Sequence, residues 1–295
     1  MTLRNIEVSQ EGAVTKVWFH NINSSFTQRF LITSDRHHDS IYCNRDLELK
    51  HLKEAKDTDA YIIDVGDLLD AMQGRYDKRR SYTDLRPEYK DGAYYDLIVK
   101  DAAKFYEPFA ENFLLLGRGN HDNGVIKHAN TDVLSNLAFL LNQKRKTPLC
   151  VGGYGGWIIL HFDHGEKGGN RSSVKIKYHH GSGGEAPVTR GVIQTNRQMV
   201  YIPDADVIIN AHSHNEYIMD VKRERISEQG VLYFDICTHI RTPGYKNDYA
   251  DGSMGWEVER GGVPKPQGCV WLDISMQVFN GKTYRASKCA YSSVI

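Results

Sequence analysis

Apolar residues recur along this chain in short runs that end at the same kind of punctuation. Phe30-Leu31-Ile32, Tyr61-Ile62-Ile63, Phe113-Leu114-Leu115-Leu116, the segment 174–178 and Val207-Ile208-Ile209 each give way within a few positions to Gly, Asp, Asn or His. Short β-rich runs closed by turn residues predict buried strands. Helical spacing covers 45–55, 94–112, 131–146 and 189–200 and alternates with those strands as βαβ units do. Beyond residue 214 the pattern turns strand-like, over 217–221, 231–236 and 270–278. The prediction is an α/β fold in which two packed sheets are flanked by helices, a single domain spanning 1–295.

The segments at the ends of the apolar runs carry the chemistry. In order along the chain stand Ser-Asp-Arg-His-His-Asp at 34–39, Gly-Asp at 66–67, Gly-Asn-His-Asp at 119–122, His-His-Gly at 179–181 and Ala-His-Ser-His at 211–214. Each has an ordinary structural reading when taken alone. Asp-x-His and Gly-Asp suit turns, Asn-His-Asp suits a helix cap, and histidines two apart share one face of a strand. Taken together, Asp35, His37, Asp67, Asn120, His180, His212 and His214 offer carboxylate, amide and imidazole donors suited to divalent transition metals. Seven donors exceed one tetrahedral ion and fit two ions that share a bridging carboxylate. Sites in layered α/β folds gather at strand ends, so the five segments are expected at one sheet region.

The order Asp35-Arg36-His37, Gly66-Asp67, Gly119-Asn120-His121-Asp122, His180-Gly181 and His212-Ser213-His214 resembles that of the calcineurin-like metallophosphoesterase superfamily, over about residues 30 to 215. The longer strings GDLLDAMQGRYDKRRSYTDLRPEYK and KYHHGSGG look like a phage and bacterial branch of it. Ala211 stands where a glycine is usual, one small residue for another. The resemblance implies a four-layer α/β/β/α sandwich. It also implies that Asp35, His37 and His214 hold a first metal and Asn120, His180 and His212 a second, with Asp67 bridging. His121 would contact the phosphoryl oxygen or leaving group, with Asp122 beside it to favour the protonated ring. Three histidines compete for the fourth segment: His164 in Asp-His-Gly, His179 and His180. The His-Gly context and the distance to His212 favour His180, and His179 should point to the opposite face.

The reaction expected of such a centre is phosphoester hydrolysis. Two cations about 3.5–4 Å apart lower the pKa of a bridging water, so that hydroxide attacks phosphorus in line, and they take up charge on the phosphoryl oxygens. Manganese is the first expectation for the two ions, with iron, zinc, nickel and cobalt as alternatives. A phosphodiesterase acting on a nucleotide or nucleic acid heads the reading. A phosphomonoesterase and a non-catalytic binding protein that keeps the fold are the alternatives.

Composition adds limits. Lys plus Arg and Asp plus Glu each number 37, which removes any global basic signature of nucleic-acid binding. No apolar run is long enough to span a bilayer, and the first residues lack the apolar core of a signal peptide. Cys43, Cys150, Cys237, Cys269 and Cys289 are odd in number and scattered, as expected of thiols in a reducing cytoplasm. Two polar stretches are candidate substrate contacts: 71–90, an insertion with Arg75, Arg79 and Arg80, and the long loop 241–267, with Tyr245 and Trp256.

Overall fold

The structure, a computed structural model, describes residues 6–23, 25–74, 77–78, 80, 85–90, 92–163, 171–183, 189, 191–249, 252–253, 255–279 and 282–293, with backbone only for 171, 276–279 and 282–293. The strands are β1 (Ile6–Glu11), β2 (Val14–Phe19), β3 (Thr27–Thr33), β4 (Tyr61–Asp64), β5 (Phe113–Leu116), β6 (Cys150–Val151), β7 (Gly155–Asp163), β8 (Arg171–His179), β9 (Val207–Asn210), β10 (Tyr217–Ile226), β11 (Leu232–Arg241), β12 (Gly268–Phe279) and β13 (Lys282–Ser293). The helices are α1 (Arg45–Asp57), α2 (Tyr94–Tyr106), α3 (Asn120–Ala129), α4 (Val133–Asn142), α5 (Val192–Tyr201) and the single turn α6 (Trp256–Glu259).

Two mixed sheets result, ordered β1-β2-β7-β8-β9-β11-β10 and β13-β12-β3-β4-β5-β6. Alternation along the strands of the second sheet builds the layers. Phe30, Ile32, Tyr61 and Ile63 face a core shared with Phe19, Leu160, Ile176 and Ile209 of the other sheet, so the sheets pack face to face. Leu31 and Ile62 point the other way, into a core with Leu52 of α1, Ile98 of α2 and Leu137 of α4. On the far side, Ile208 and Cys237 meet Ile202, with Met199 of α5 against them. The order is helices, sheet, sheet, helix. Each of these buried aliphatic side chains contributes about 1.5–3 kcal/mol.

Element ends follow local chemistry. The predicted helix over 94–112 stops at Tyr106 and continues as a 3-10 turn, Glu107–Asn112, because Pro108 cannot donate to an α-helical carbonyl. Asn44 and Asp132 cap α1 and α4, accepting from Leu47 N and Ser135 N, so α4 starts at 133 rather than 131; it ends at Asn142, short of 146. In the 71–90 stretch, Arg86 donates to Ser40 O and Tyr89 to Asp101, so both brace the fold. Cys43, Cys150, Cys237 and Cys269 are buried. No described helix is long and apolar enough to cross a membrane.

Candidate metal centre

All five segments lie just past the C-terminal ends of strands, but not of one sheet. Asp35 follows β3, Asp67 follows β4 and Asn120 follows β5, whereas His180 follows β8 and His212 follows β9. The expectation of a single sheet region is therefore corrected: the centre sits where the ends of the two packed sheets meet. A sixth segment joins them after β11, which runs parallel to β9 and delivers Lys246 and Asp248.

The loops are held in conformations that side chains rarely adopt. Nine non-glycine residues of the described chain have positive φ, and five of them are Asp35, His37, Asp67, His212 and His214. Left-handed backbone at such residues costs about 1–3 kcal/mol each and persists only where the surroundings fix it. Here Asp35 N, His37 N and His38 N donate to Gly66 O, Asp67 O and Leu68 O at 2.9, 3.1 and 2.9 Å, zipping the first two loops together. Gly66 has φ of +117°, and a Cβ there would meet His180 Nδ1 and the Arg118 backbone. Behind the loops, the fully buried Arg36 donates to Asp64, Glu48 and Thr33, and Asp39 accepts from Asp70 N, Ala71 N and Tyr94 Oη.

Among the described residues four clusters bring three imidazole, thiol or carboxylate donors together, His37 with Asp70 and His121 and His38 with Cys43 and Glu48 being two of them, and the other two match the sequence-derived ligands. Asp35, His37 and His214 place donor atoms within 4.8 Å of one another, as do Asp67, His180 and His212. His180 Nε2 lies 3.1 Å from Asp67 Oδ2, 3.2 Å from Asn120 Oδ1 and 3.9 Å from Asp35 Oδ1, which ties Asn120 to the second group and the second group to the first. His180 Nδ1 stands 3.1 Å from Val65 O, a partner that leaves Nε2 for a ligand bond. His179 turns away: its Nδ1 accepts from Gly181 N. His164 lies outside the described residues.

Two carboxylates outside the sequence-derived ligand set back the first group. Asp70 Oδ1 is 2.9 Å from His37 Nδ1, and Asp248 Oδ2 is 3.8 Å from His214 Nδ1. Lys246 Nζ joins them, 3.2 Å from Asp70 Oδ1 and 3.3 Å from Asp248 Oδ1. A signal for Asp70 exists in the string Gly66-Asp67-Leu68-Leu69-Asp70; nothing local marks Asp248.

His121 and Asp122 open α3. His121 N donates to Asp67 Oδ1, and its Nδ1 is 2.6 Å from Asp70 O. The expected pairing of Asp122 with the His121 ring is corrected. Asp122 sits at the third helical position, so its carboxylate folds back to accept from Gly119 N and Asp67 N, the groups a helix start leaves unpaired. Burial, then the nearby Asp67, push this carboxyl up to about 7.

Electrostatics favour added positive charge. Burial opposes ionisation of Asp35 and Asp67, yet His214, His180 and His121 hold both carboxyls well below the usual range. Burial likewise disfavours a charged His180, but Asp67 and Asp35 hold it up to about 10. Asp35 Oδ1 and Nε2 of His37 are buried without a hydrogen-bond partner. Orphaned donors and acceptors of that kind need a reason; a pair of cations, with imidazole, carboxylate and amide ligands, supplies one.

The candidate substrate contacts divide. Arg75 and Arg79 lie outside the described residues; Arg80 and Trp256 are exposed, with the Arg260 guanidinium 4.4 Å from the Trp256 ring centroid. Tyr245 is corrected to a core residue: it is fully buried, its hydroxyl 2.9 Å from His51 Nδ1 and its ring beside Arg36.

No protein-family model and no curated protein matches the sequence. Among solved structures, the chain is similar to vacuolar protein sorting 29 from Cryptosporidium parvum, at 12% identity over 90% of this chain and 100% of that one, with a TM-score of 0.36. It is also similar to a predicted phosphoesterase from Streptococcus pneumoniae, at 10% identity over 89% and 99%, with a TM-score of 0.32. Likeness at these values carries no weight for function; the side-chain geometry does.

Proposed function

We propose that this protein is a dinuclear metal-dependent phosphoester hydrolase acting on phosphodiesters of nucleotide or nucleic-acid type. The observation that supports it is the pair of ligand groups joined at His180, with Asp35 Oδ1 and His37 Nε2 left unsatisfied between packed sheets. Asp35, His37 and His214 would hold one divalent ion, Asn120, His180 and His212 the other, and Asp67 both. When bound, such ions, manganese foremost, lend Lewis acidity at the phosphoryl oxygens and lower the pKa of solvent.

The chain's own residues do the rest. Because His121 Nδ1 is fixed on Asp70 O, Nε2 is the atom left to hydrogen-bond the leaving oxygen as its charge grows. Asp70 and Asp248 orient the imidazoles of His37 and His214. Lys246 is neutralised by these two carboxylates, so it offers little to the second negative charge of a phosphomonoester, which favours the diester. Turnover of bis-p-nitrophenyl phosphate against p-nitrophenyl phosphate in manganese tests this. Preference for the diester is expected. A strong preference for the monoester would reverse the substrate class, and fewer than two bound metal equivalents with no hydrolysis of either would leave a binding protein.

A further inference from the structure

Beside the second ligand group a cleft of about 420 Å³ opens along α3, lined by Asn120, Asn123, Gly124, Lys127, His128 and Tyr154. Its volume is that of a small-ligand site. The helical residues are spaced i, i+3, i+4, i+7 and i+8 and so form one stripe of α3, which starts at a candidate metal ligand and ends at two basic side chains. Lys127 stands seven residues from Asn120, about 10 Å along the axis. The opposite wall is tied to the centre as well. Tyr154 donates its hydroxyl to Gly181 O at 2.5 Å and sets its ring edge-on to His180, centroids 5.3 Å apart. Among the described residues no carboxylate lines the cleft, and neither Lys127 nor His128 makes an ion pair.

A cleft that is continuous with the centre, walled by one aromatic ring and cationic at its far end suits an organic arm with a charge of its own. We propose that it is a subsite for the ester arm of the substrate, and that Lys127, with His128, binds a second phosphate carried on that arm. The inference rests on the phosphoesterase reading and narrows it to diesters that bear a further phosphate on the ester arm, within reach of the Lys127 side chain. Asn123 supplies an amide for the body of the arm, and Tyr154 an apolar wall.

The test is competition against bis-p-nitrophenyl phosphate hydrolysis by the manganese-loaded full chain, with the dinucleotides pTpT and TpT as inhibitors that differ by one terminal phosphate. The inhibition constant for pTpT should be about tenfold lower than for TpT, the size of one charge-assisted contact. It should rise more steeply with salt than that of TpT. In Lys127→Gln, with an unchanged melting temperature, the two constants should converge to within about threefold. Equal constants in the unaltered protein, or a tenfold preference that survives in Lys127→Gln, would overturn the subsite while leaving the phosphoesterase reading intact. No hydrolysis of bis-p-nitrophenyl phosphate at all would remove that reading, and the subsite with it.

Discussion

Asp67, just past β4, and His180, just past β8, belong to different sheets, yet Nε2 of the histidine lies 3.1 Å from Oδ2 of the carboxylate. The face-to-face packing of the sheets is thus what assembles the centre, around the carboxylate proposed to bridge the two ions.

Replacing Asp67 by Asn should therefore weaken both metals together. A neutral amide bridges two cations poorly, and outer partners alone tune affinity by about 10–100-fold. Metal analysis after manganese loading and gel filtration should fall from two equivalents to below one. Two retained equivalents would remove Asp67 from the bridging position.

The three histidines should separate by readout. His121→Ala keeps two metal equivalents and loses turnover by about 10²–10⁴-fold, the range of a general acid. His180→Ala loses one equivalent, and His179→Ala loses none, because its ring faces away toward Gly181 N. Metal loss in His121→Ala would move that residue into the ligand set.

Lys246→Met leaves the buried Asp70 and the half-buried Asp248 without their ammonium. Breaking such a group from one side costs about 3–5 kcal/mol, and denaturant unfolding in the presence of chelator should show it. Little change in the midpoint would mean that water or another cation replaces the ammonium.

Tyr245→Phe removes only the hydroxyl facing His51. The expected loss is about 1 kcal/mol of stability, with kcat and KM on bis-p-nitrophenyl phosphate unaltered. A raised KM would restore Tyr245 as a substrate contact.

Acid sensitivity should carry a contribution from His51. Burial, then the nearby Arg36, hold this imidazole down at about 4, below the ordinary 6.5. Between those values the unfolded chain binds a proton that the folded chain excludes, so stability is full above pH 6.5 and falls as pH drops toward 4. The loss is at most about 3 kcal/mol. The difference in unfolding free energy between the unaltered protein and His51→Gln should therefore shrink over that interval; a pH-independent difference would show that His51 is not held neutral by the fold.

Much of this was written in the chain. Runs such as Phe30-Leu31-Ile32 and Val207-Ile208-Ile209 announce buried strands because burial on both faces demands apolar residues at every position, and the donors come directly after them because strand ends are where loops can turn. The candidate ligands were legible only as a set: each segment alone suits a turn or a helix cap, whereas the five in this order offer carboxylate, amide and imidazole donors for two cations. What sequence could not decide was which groups stand opposite one another. That Asp122 binds backbone amides while Asp70 backs His37, that Tyr245 is buried on Arg36, that Lys246 and Asp248 arrive after β11, and that two sheets rather than one build the centre all depend on distances between residues far apart in the chain. Local propensity fixes each strand and its loop; only the packing of one sheet on the other fixes which loops meet.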